Sequence, residues 1–451
     1  MMEEDQVREM ALSILIELEK KGTYSADLIR KAQDRCENLT LSQRSFLKRL
    51  VEGTLSRKME LDSMITSHLK NPKAPLKTEI LCLLRMSIYQ IYYMDSVPDY
   101  AACNEAVRIC KKRHWSPQVG FVNAILRSVC RDKEKGKGTG NLSLTYSMPK
   151  MIVDLWEEQL GQERTKELCE AMLEARPVCI RLHARLSMLE KEEVLDEIKK
   201  SGAQLKKGKW AEDCWYLLHC GKVSDLPGFA EGKWMVQDES SQLVSYAAGM
   251  IGRKNEAGEY RHVYDLCAAP GGKTILSAML LPRADIASFD VSEKKTDLIR
   301  SNVKRMNLSN VLVEENDATR IRQDLVGKAD LVLCDVPCSG LGVMGRKRDL
   351  KYHVTMEKIE SLVSLQKKMV LSAASVVKPG GVLLYSTCTI DRKENEEMAQ
   401  YIEQETGLMP ENLEPYLPEN LEGIKGNEVQ LFPDRHGTDG FYMARFRKPD
   451  L

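Results

Sequence analysis

Hydrophobic positions recur at helical spacing through about the first 130 residues of the chain. Val7, Ala11, Ile14, Leu15 and Leu18 form one stripe that stops at Gly22, the pattern of an amphipathic helix with a glycine stop. Similar stripes run through Phe46, Leu47, Leu50, Val51 and Thr54, and through Leu61, Met64, Ile65 and Leu69 before Asn71-Pro72. From Ile80 to Met94 the chain is apolar almost all round, which predicts a helix at the centre of a bundle. Two more helical segments follow Pro98, separated by His114-Trp-Ser-Pro117. A polar, glycine-rich stretch over 133–141 then reads as a linker, so an all-α domain is expected over 1–132.

Beyond the linker the pattern changes. A helix is predicted to begin near Ser147-Met-Pro149, with Ser147 as N-cap and Pro149 in the first turn. Pro177–His183 and Cys214–His219 read as strands and Glu192–Lys200 as a helix, giving a small α+β module over 142–230. From about Trp234 strands alternate with helices, which predicts a parallel, doubly wound α/β sheet over 231–451.

Several strands of that last region end in chemistry. His262–Leu266 runs into a turn, Cys267-Ala268-Ala269-Pro270-Gly271-Gly272-Lys273, that leads to a helix. The next strand ends at Asp290, 18 residues after Gly272, and two more bring Asp317 and Asp335 to the same edge. A carboxylate at the end of the second strand suits ribose hydroxyls, and α/β sheets bind ligands at that edge. Two phosphate-binding alternatives fail: a P-loop would need its first glycine at Cys267, and no G-x-G-x-x-G occurs. A pyrophosphate would also be repelled by converging acids. S-adenosylmethionine fits better, having no phosphate but a sulfonium and an α-ammonium.

Cys338 and Cys388 lie 50 residues apart, each just past the end of a hydrophobic run. Cys334 should face away from Asp335 by strand alternation, and it and Cys267 read as core or structural residues. The spacing also permits a four-cysteine metal site at 267, 334, 338 and 388, but one Cys-x-x-x-Cys is a weak signal, and no metal is expected. Two strand-end thiols beside a methyl donor suggest an acceptor that needs covalent activation. Carbon 5 of a pyrimidine is such an acceptor: thiolate addition at carbon 6 makes carbon 5 nucleophilic, and a base must then remove its proton. A free thiol with a pKa of about 8.5 is only slightly ionised at neutral pH, so the site must supply positive charge.

Composition narrows the class further. The 451 residues suffice for two or three domains, and 66 basic against 66 acidic side chains exclude a uniformly basic coat but not local patches. Three basic clusters stand out: nine Lys or Arg between Glu105 and Gly138, then Lys199, Lys200, Lys206, Lys207 and Lys209, then Arg346-Lys-Arg348 with Lys351. Thirteen cysteines without regular spacing read as reduced thiols. The acidic start Met-Met-Glu-Glu-Asp resembles no signal peptide, and no apolar run approaches the roughly 18 residues that span a bilayer; a cytoplasmic protein without membrane contact is expected.

Asp265–Thr274, Asp335-Val-Pro-Cys-Ser-Gly340 and Ser386-Thr-Cys-Thr389 resemble the motifs of the NOL1/NOP2/Sun RNA (cytosine-5) methyltransferases. Val97-Pro98, Asn104-Glu-Ala-Val107 and Gly120–Arg127 resemble the NusB antitermination fold. The combined resemblance implies an all-α NusB-like domain, a small RNA-recognition-like module and a Rossmann-like catalytic domain. It implies methylation of a cytosine in RNA, 16S ribosomal RNA in the bacterial members, by a monomer that binds no DNA. Cys388 would attack carbon 6 and Cys338 would assist elimination. Cys267 to Lys273 would wrap the donor, Asp290 would hold its ribose, Asp317 would lie near its adenine, and Asp335 would sit between the donor's methionine moiety and the target base, hydrogen-bonding N3. Asp434–Phe441 matches the family's closing motif and predicts a final hairpin. Val336 stands where many members have Ala, and Arg346-Lys-Arg-Asp349 departs from the usual Arg-Pro-Asp. Transfer RNA or another ribosomal site as substrate, or an RNA-binding protein with an inert catalytic half, are the competing readings.

Overall fold

The computed structural model describes residues 4–22, 25–36, 39–133, 141–218, 220–320 and 322–450. Most of the expected linker, 134–140, lies outside the described residues. The chain forms two compact units, one comprising 1–174 with 346–353, the other 175–345 with 354–451. Among the described residues no helix is long and apolar enough to cross a membrane.

The first unit is all helical. The stripe from Val7 to Leu18 is buried as its spacing requires, on the helix Glu4–Lys21. Thr78–Tyr93 is the central helix, with every residue from Cys82 to Ile91 buried. That burial includes Arg85, whose guanidinium donates to Asp62 at 2.6 and 2.7 Å and to Glu19 at 3.1 Å; a buried cation needs such pairing. Ser147 differs from expectation. Its φ is +50°, its hydroxyl accepts the Met59 N–H at 2.7 Å, and the helix Lys150–Leu160 starts instead from Pro149. A further helix, Gln162–Leu173, follows in the same unit.

The segment 346–353 belongs to this unit, and the third basic cluster is split there: Lys347 is exposed, whereas Arg348 and Lys351 point into the unit. Arg348 is buried and donates to Ser56 Oγ and to the carbonyls of Leu173 and Glu174. Lys351 is buried too and donates to Ser56 O at 2.8 Å. Burial lowers the Lys351 pKa to about 7, assisted by Arg348. These cations satisfy backbone carbonyls and present no charge to an RNA phosphate.

The second unit holds two sheets. The smaller contains β1 (Val178–Leu182), β2 (Gln204–Lys207), β3 (Cys214–Leu218) and β4 (Trp234–Val236), all antiparallel in the order β2-β3-β1-β4. Trp234–Val236 thus pairs here rather than opening the larger sheet. The second basic cluster is exposed along β2 and the preceding helix, with Lys199 paired to Asp196 at 2.9 Å.

The larger sheet comprises β5 (His262–Asp265), β6 (Asp285–Asp290), β7 (Val311–Glu315), β8 (Ala329–Asp335), β9 (Val377–Thr387), β10 (Met409–Pro410), β11 (Ile424–Lys425), β12 (Glu428–Leu431) and β13 (Phe441–Arg447). Its order is β11-β12-β13-β9-β8-β5-β6-β7, with β10 beside β13. Only β9-β8-β5-β6-β7 is parallel; β13 runs antiparallel to β9. The parallel sheet expected from the strand–helix alternation is thus confined to these five strands, and the expected final hairpin, β12–β13, makes the whole sheet mixed. The links between β11, β12 and β13 are too short for the crossovers that parallel pairing demands. The closing motif forms the β12–β13 connection, including a short helix, Pro433–His436.

One charged knot ties β13 to this unit. Arg445 is fully buried and pairs with Glu256 at 2.7 Å and Glu411 at 2.8 Å, while the Tyr416 hydroxyl donates to Glu256 at 2.7 Å. Burial alone would raise the Glu256 pKa, but Arg445, Tyr416 and Arg447 outweigh it and hold the value at about 2, against an ordinary 4.5. A depressed carboxylate adds stability above its unfolded pKa and loses it as pH falls through the folded value. Replacing Arg445 with Met should cost about 3–5 kcal/mol, because it strands buried carboxylates. It should also flatten the fall in stability between about pH 4.5 and pH 2. Urea unfolding across that pH range checks both; an unchanged acid limb would contradict the assignment.

Candidate active site

The site is built at the carboxyl edge of the parallel strands. The chain runs β5-β6-β7 in one direction and returns to β8 on the other side of β5, creating the crevice in which open α/β sheets bind ligands. Asp265 closes β5 and is buried, accepting the Thr274 hydroxyl at 2.6 Å. Burial raises its pKa to about 6. The turn that follows contains a cis Ala269-Pro270 bond and Gly271 at φ +100°. A side chain at Gly271 would be strained by that φ and would bring a Cβ within 3.3 Å of Ile299. The helix Gly272–Leu280 then begins.

The three strand-end acids converge on one cavity of about 370 Å³, as their sequence positions predicted. Asp290 Oδ2 accepts the Ala269 N–H at 3.0 Å, and its Oδ1 accepts Val291 N–H at 2.8 Å and the Lys295 ammonium at 2.9 Å. Asp317 accepts the backbone N–H and the hydroxyl of Thr319 at 2.9 and 2.7 Å, which hold its pKa below the usual carboxylate range. Asp335 accepts the Ser386 hydroxyl at 2.8 Å and the Lys273 ammonium at 2.6 Å. Burial opposes the charge on Lys273, but Asp335 overrides it and raises the lysine's pKa. The Lys273 ammonium also sits 5.3 Å from the Phe441 ring centroid.

Cys338 and Cys388 line the same cavity, with their sulfurs 3.3 Å apart. The hydrogen bond to Cys388, burial and the nearby Glu394 and Asp335 charges together hold the Cys338 thiol well above its ordinary pKa. Cys334 is fully buried, as alternation predicted. Cys267 differs from a purely structural residue because it lines the cavity, although burial also pushes its thiol up. Within the turn after β5, Cys267 and Ala269 line the cavity; Ala268, Pro270, Gly271, Gly272 and Lys273 are not among its lining residues. Among the described residues no group of three or more His, Cys, Asp or Glu could hold a metal ion.

Several contributors escaped the sequence reading. Leu365 and Met369 form an apolar wall from the helix Met356–Val376; their i, i+4 spacing was visible, but not which face they present. Glu394, Gln366, Ser339 and Thr389 are buried around the Cys338 loop. Glu394 follows Cys388 by only six residues, yet reads in sequence as a solvated helix start. Gly342 completes the arrangement: its N–H donates to Cys388 O at 3.1 Å, and its own carbonyl accepts the Gly440 N–H at 2.9 Å.

The fold and this crevice define an α/β enzyme of the Rossmann-like, methyltransferase type. Comparison with known proteins narrows that class: the chain belongs to the 16S rRNA methyltransferase RsmB/F family, which matches residues 254–447, and the NusB family matches residues 5–131. It is 34% identical over 457 residues to the probable ribosomal RNA small subunit methyltransferase B of Bacillus subtilis (strain 168), covering 99% of this chain and 100% of that one. The crystal structure of PH0851 shares the fold, with a TM-score of 0.80, 23% identity and 99% of each chain covered. A methyltransferase homolog protein from Pyrococcus horikoshii gives a TM-score of 0.56 at 28% identity, covering 68% of this chain and 97% of that one.

The close backbone approach at Gly342 is testable. A Cβ there would lie 2.0 Å from Gly440 O and 2.8 Å from Cys388 O, both backbone atoms that cannot swing aside. Gly342→Ala should therefore cost about 1–3 kcal/mol, the range for overpacking, in denaturant unfolding. Undiminished stability would show that the two turns are not held this closely.

Proposed function

We propose that this chain transfers the methyl group of S-adenosylmethionine to carbon 5 of a cytosine in 16S ribosomal RNA, through a transient bond between Cys388 and carbon 6. The observation that carries the reading is the pair of sulfurs 3.3 Å apart in the cavity that also gathers Asp290, Asp317 and Asp335. The residues present suit the donor. Asp290 and Asp317 offer acceptors for hydroxyl or amino groups, Leu365 and Met369 offer an apolar wall for a base, and three carboxylates favour a cation over a phosphate. Bound there, S-adenosylmethionine supplies an electrophilic methyl group.

The remaining work falls to the chain's own side chains. Cys388, its thiol proton released to solvent, adds to carbon 6 as a thiolate, which converts the ring to an enamine and makes carbon 5 nucleophilic. Asp335, fixed by Lys273 and Ser386, takes the N3 edge, with the Lys273 ammonium as the neighbouring proton source. Once carbon 5 carries the methyl group, Cys338 removes its remaining proton and the Cys388–carbon 6 bond breaks, restoring aromaticity. Cys338, whose sulfur stands 3.3 Å from that of Cys388, acts in this last step as a thiolate that has already released its own proton to solvent.

A base inside folded RNA must leave its stack to reach such a cavity. The NusB-like helices and the small sheet, with its exposed lysines along β2, are assigned to gripping the RNA around it. The small-subunit RNA named in the relatives supports 16S ribosomal RNA as the substrate. Bisulfite sequencing of 16S RNA from a deletion strain should show one cytosine losing protection.

Two substitutions test the chemistry. Cys388→Ala should abolish methyl transfer while RNA binding, measured by filter retention, stays near wild type; residual turnover would reject Cys388 as nucleophile. Cys338→Ala should leave a covalent protein–RNA complex that survives a denaturing gel. If no retarded band forms, the assigned division of labour between the thiols is wrong.

A further inference from the structure

A buried carboxylate beside the thiols takes no part in the steps above. Glu394 is fully buried. Its Oε2 accepts the Ser339 backbone N–H at 2.9 Å and Gln366 Nε2–H at 2.9 Å, and its Oε1 accepts the Ser339 hydroxyl. The same Gln366 nitrogen donates to Pro337 O at 2.9 Å. Both peptide flanks of Cys338 are thus tied, directly or through one glutamine, to a single carboxylate. Glu394 is itself anchored: the Tyr385 hydroxyl donates to its backbone carbonyl at 2.6 Å. The Ser339 hydroxyl also lies 2.6 Å from the hydroxyl of Thr389, the residue after Cys388.

Burying a carboxylate is costly unless its oxygens are hydrogen-bonded, and burial pushes the Glu394 pKa up. Three accepted hydrogen bonds offset that cost, and all three come from the segments that hold Cys338. The turn at Cys388 has separate support, from the Gly342 N–H at 3.1 Å and from Asn395, which accepts the Thr387 hydroxyl at 2.6 Å and donates to Thr389 O at 3.2 Å.

We infer that Glu394 is a positioning residue, clamping the Pro337–Ser339 loop against the turn after Cys388 and so setting where the Cys338 sulfur stands for elimination. The inference rests on the assignment of Cys338 to that step. A proton-abstracting group must stand within hydrogen-bond reach of its target, and a displacement of about 1 Å can cost on the order of a hundredfold in rate. Glu394→Ala deletes the clamp but leaves the Cys388 turn its own hydrogen bonds. Glu394→Gln can keep the clamp without the charge. Its amide oxygen can accept from Ser339 N–H and Gln366, and its amide nitrogen can donate to the Ser339 hydroxyl, which turns to Thr389.

The test uses the full chain, S-adenosylmethionine and in vitro transcribed 16S ribosomal RNA, following covalent complex formation and decay separately on denaturing gels. Glu394→Ala should form the complex at close to the wild-type rate, with unchanged KM, and release it about tenfold or more slowly. Glu394→Gln should release it within about threefold of wild type. Prompt release by Glu394→Ala, equal slowing of formation and release, or a Glu394→Gln variant as slow as the alanine one would each overturn the inference. If a thermal melt shows Glu394→Ala unfolded, Ser339→Ala decides, since it removes one hydroxyl and should slow release in the same direction. Cys338→Ala separates the two failures. A trapped complex there, with prompt release in the Glu394 and Ser339 variants, defeats the clamp alone, whereas no complex with Cys338→Ala defeats the reading of the thiols.

Discussion

The parallel pairing of β8 with β9 is the constraint on which the site depends. Asp335 lies opposite Ser386 in that register, so the two chains leave the sheet side by side, and the cysteines follow three and two residues later. A slip of one residue would turn every side chain of a strand to the opposite face, separating the sulfurs and releasing Asp335 from Ser386. The register is held by the core itself: Leu331, Leu333, Val382 and Leu384 pack into one hydrophobic cluster, Val332, Cys334, Leu383 and Tyr385 into the other. Burial on both faces leaves no alternative pairing that keeps these residues from water.

Around that pairing the molecule manages charge in two ways. At the carboxyl edge of the parallel strands, backbone amides, hydroxyls and lysines meet Asp290, Asp317 and Asp335, so the cavity is lined by acids that are each hydrogen-bonded. Deeper in the unit, Arg445 gathers Glu256, Glu411 and Tyr416 into a knot that fastens the final strand. The first arrangement leaves oxygens facing a cavity, while the second consumes them. Residues of the same type therefore line an open cavity in one place and hold strands together in the other.

The basic clusters show why charge patterns along a chain are poor guides to a surface. Arg346-Lys-Arg348 with Lys351 reads like a phosphate site, yet Arg348 and Lys351 are buried donors to backbone carbonyls. The lysines near β2 are solvent-facing, although nothing in their spacing sets them apart from the buried set. Arg181, inside an apolar strand and fully buried, is a further case; its pKa is pulled down to about 9 by burial.

Much was legible without coordinates. Helical stripes, strand runs and the positions of Asp290, Asp317, Asp335, Cys338 and Cys388 follow from local periodicity, which short-range backbone geometry enforces. Ser147 was misread because a hydroxyl that suits an N-cap found a distant backbone amide instead. The antiparallel pairing of β13 with β9, the 3.3 Å approach of the two sulfurs and the convergence of Ser339 and Gln366 on Glu394 could not be read. These depend on which segments meet after the chain has closed over long separations, and hydrophobic burial chooses those partners by volume and register rather than by any pattern within one segment.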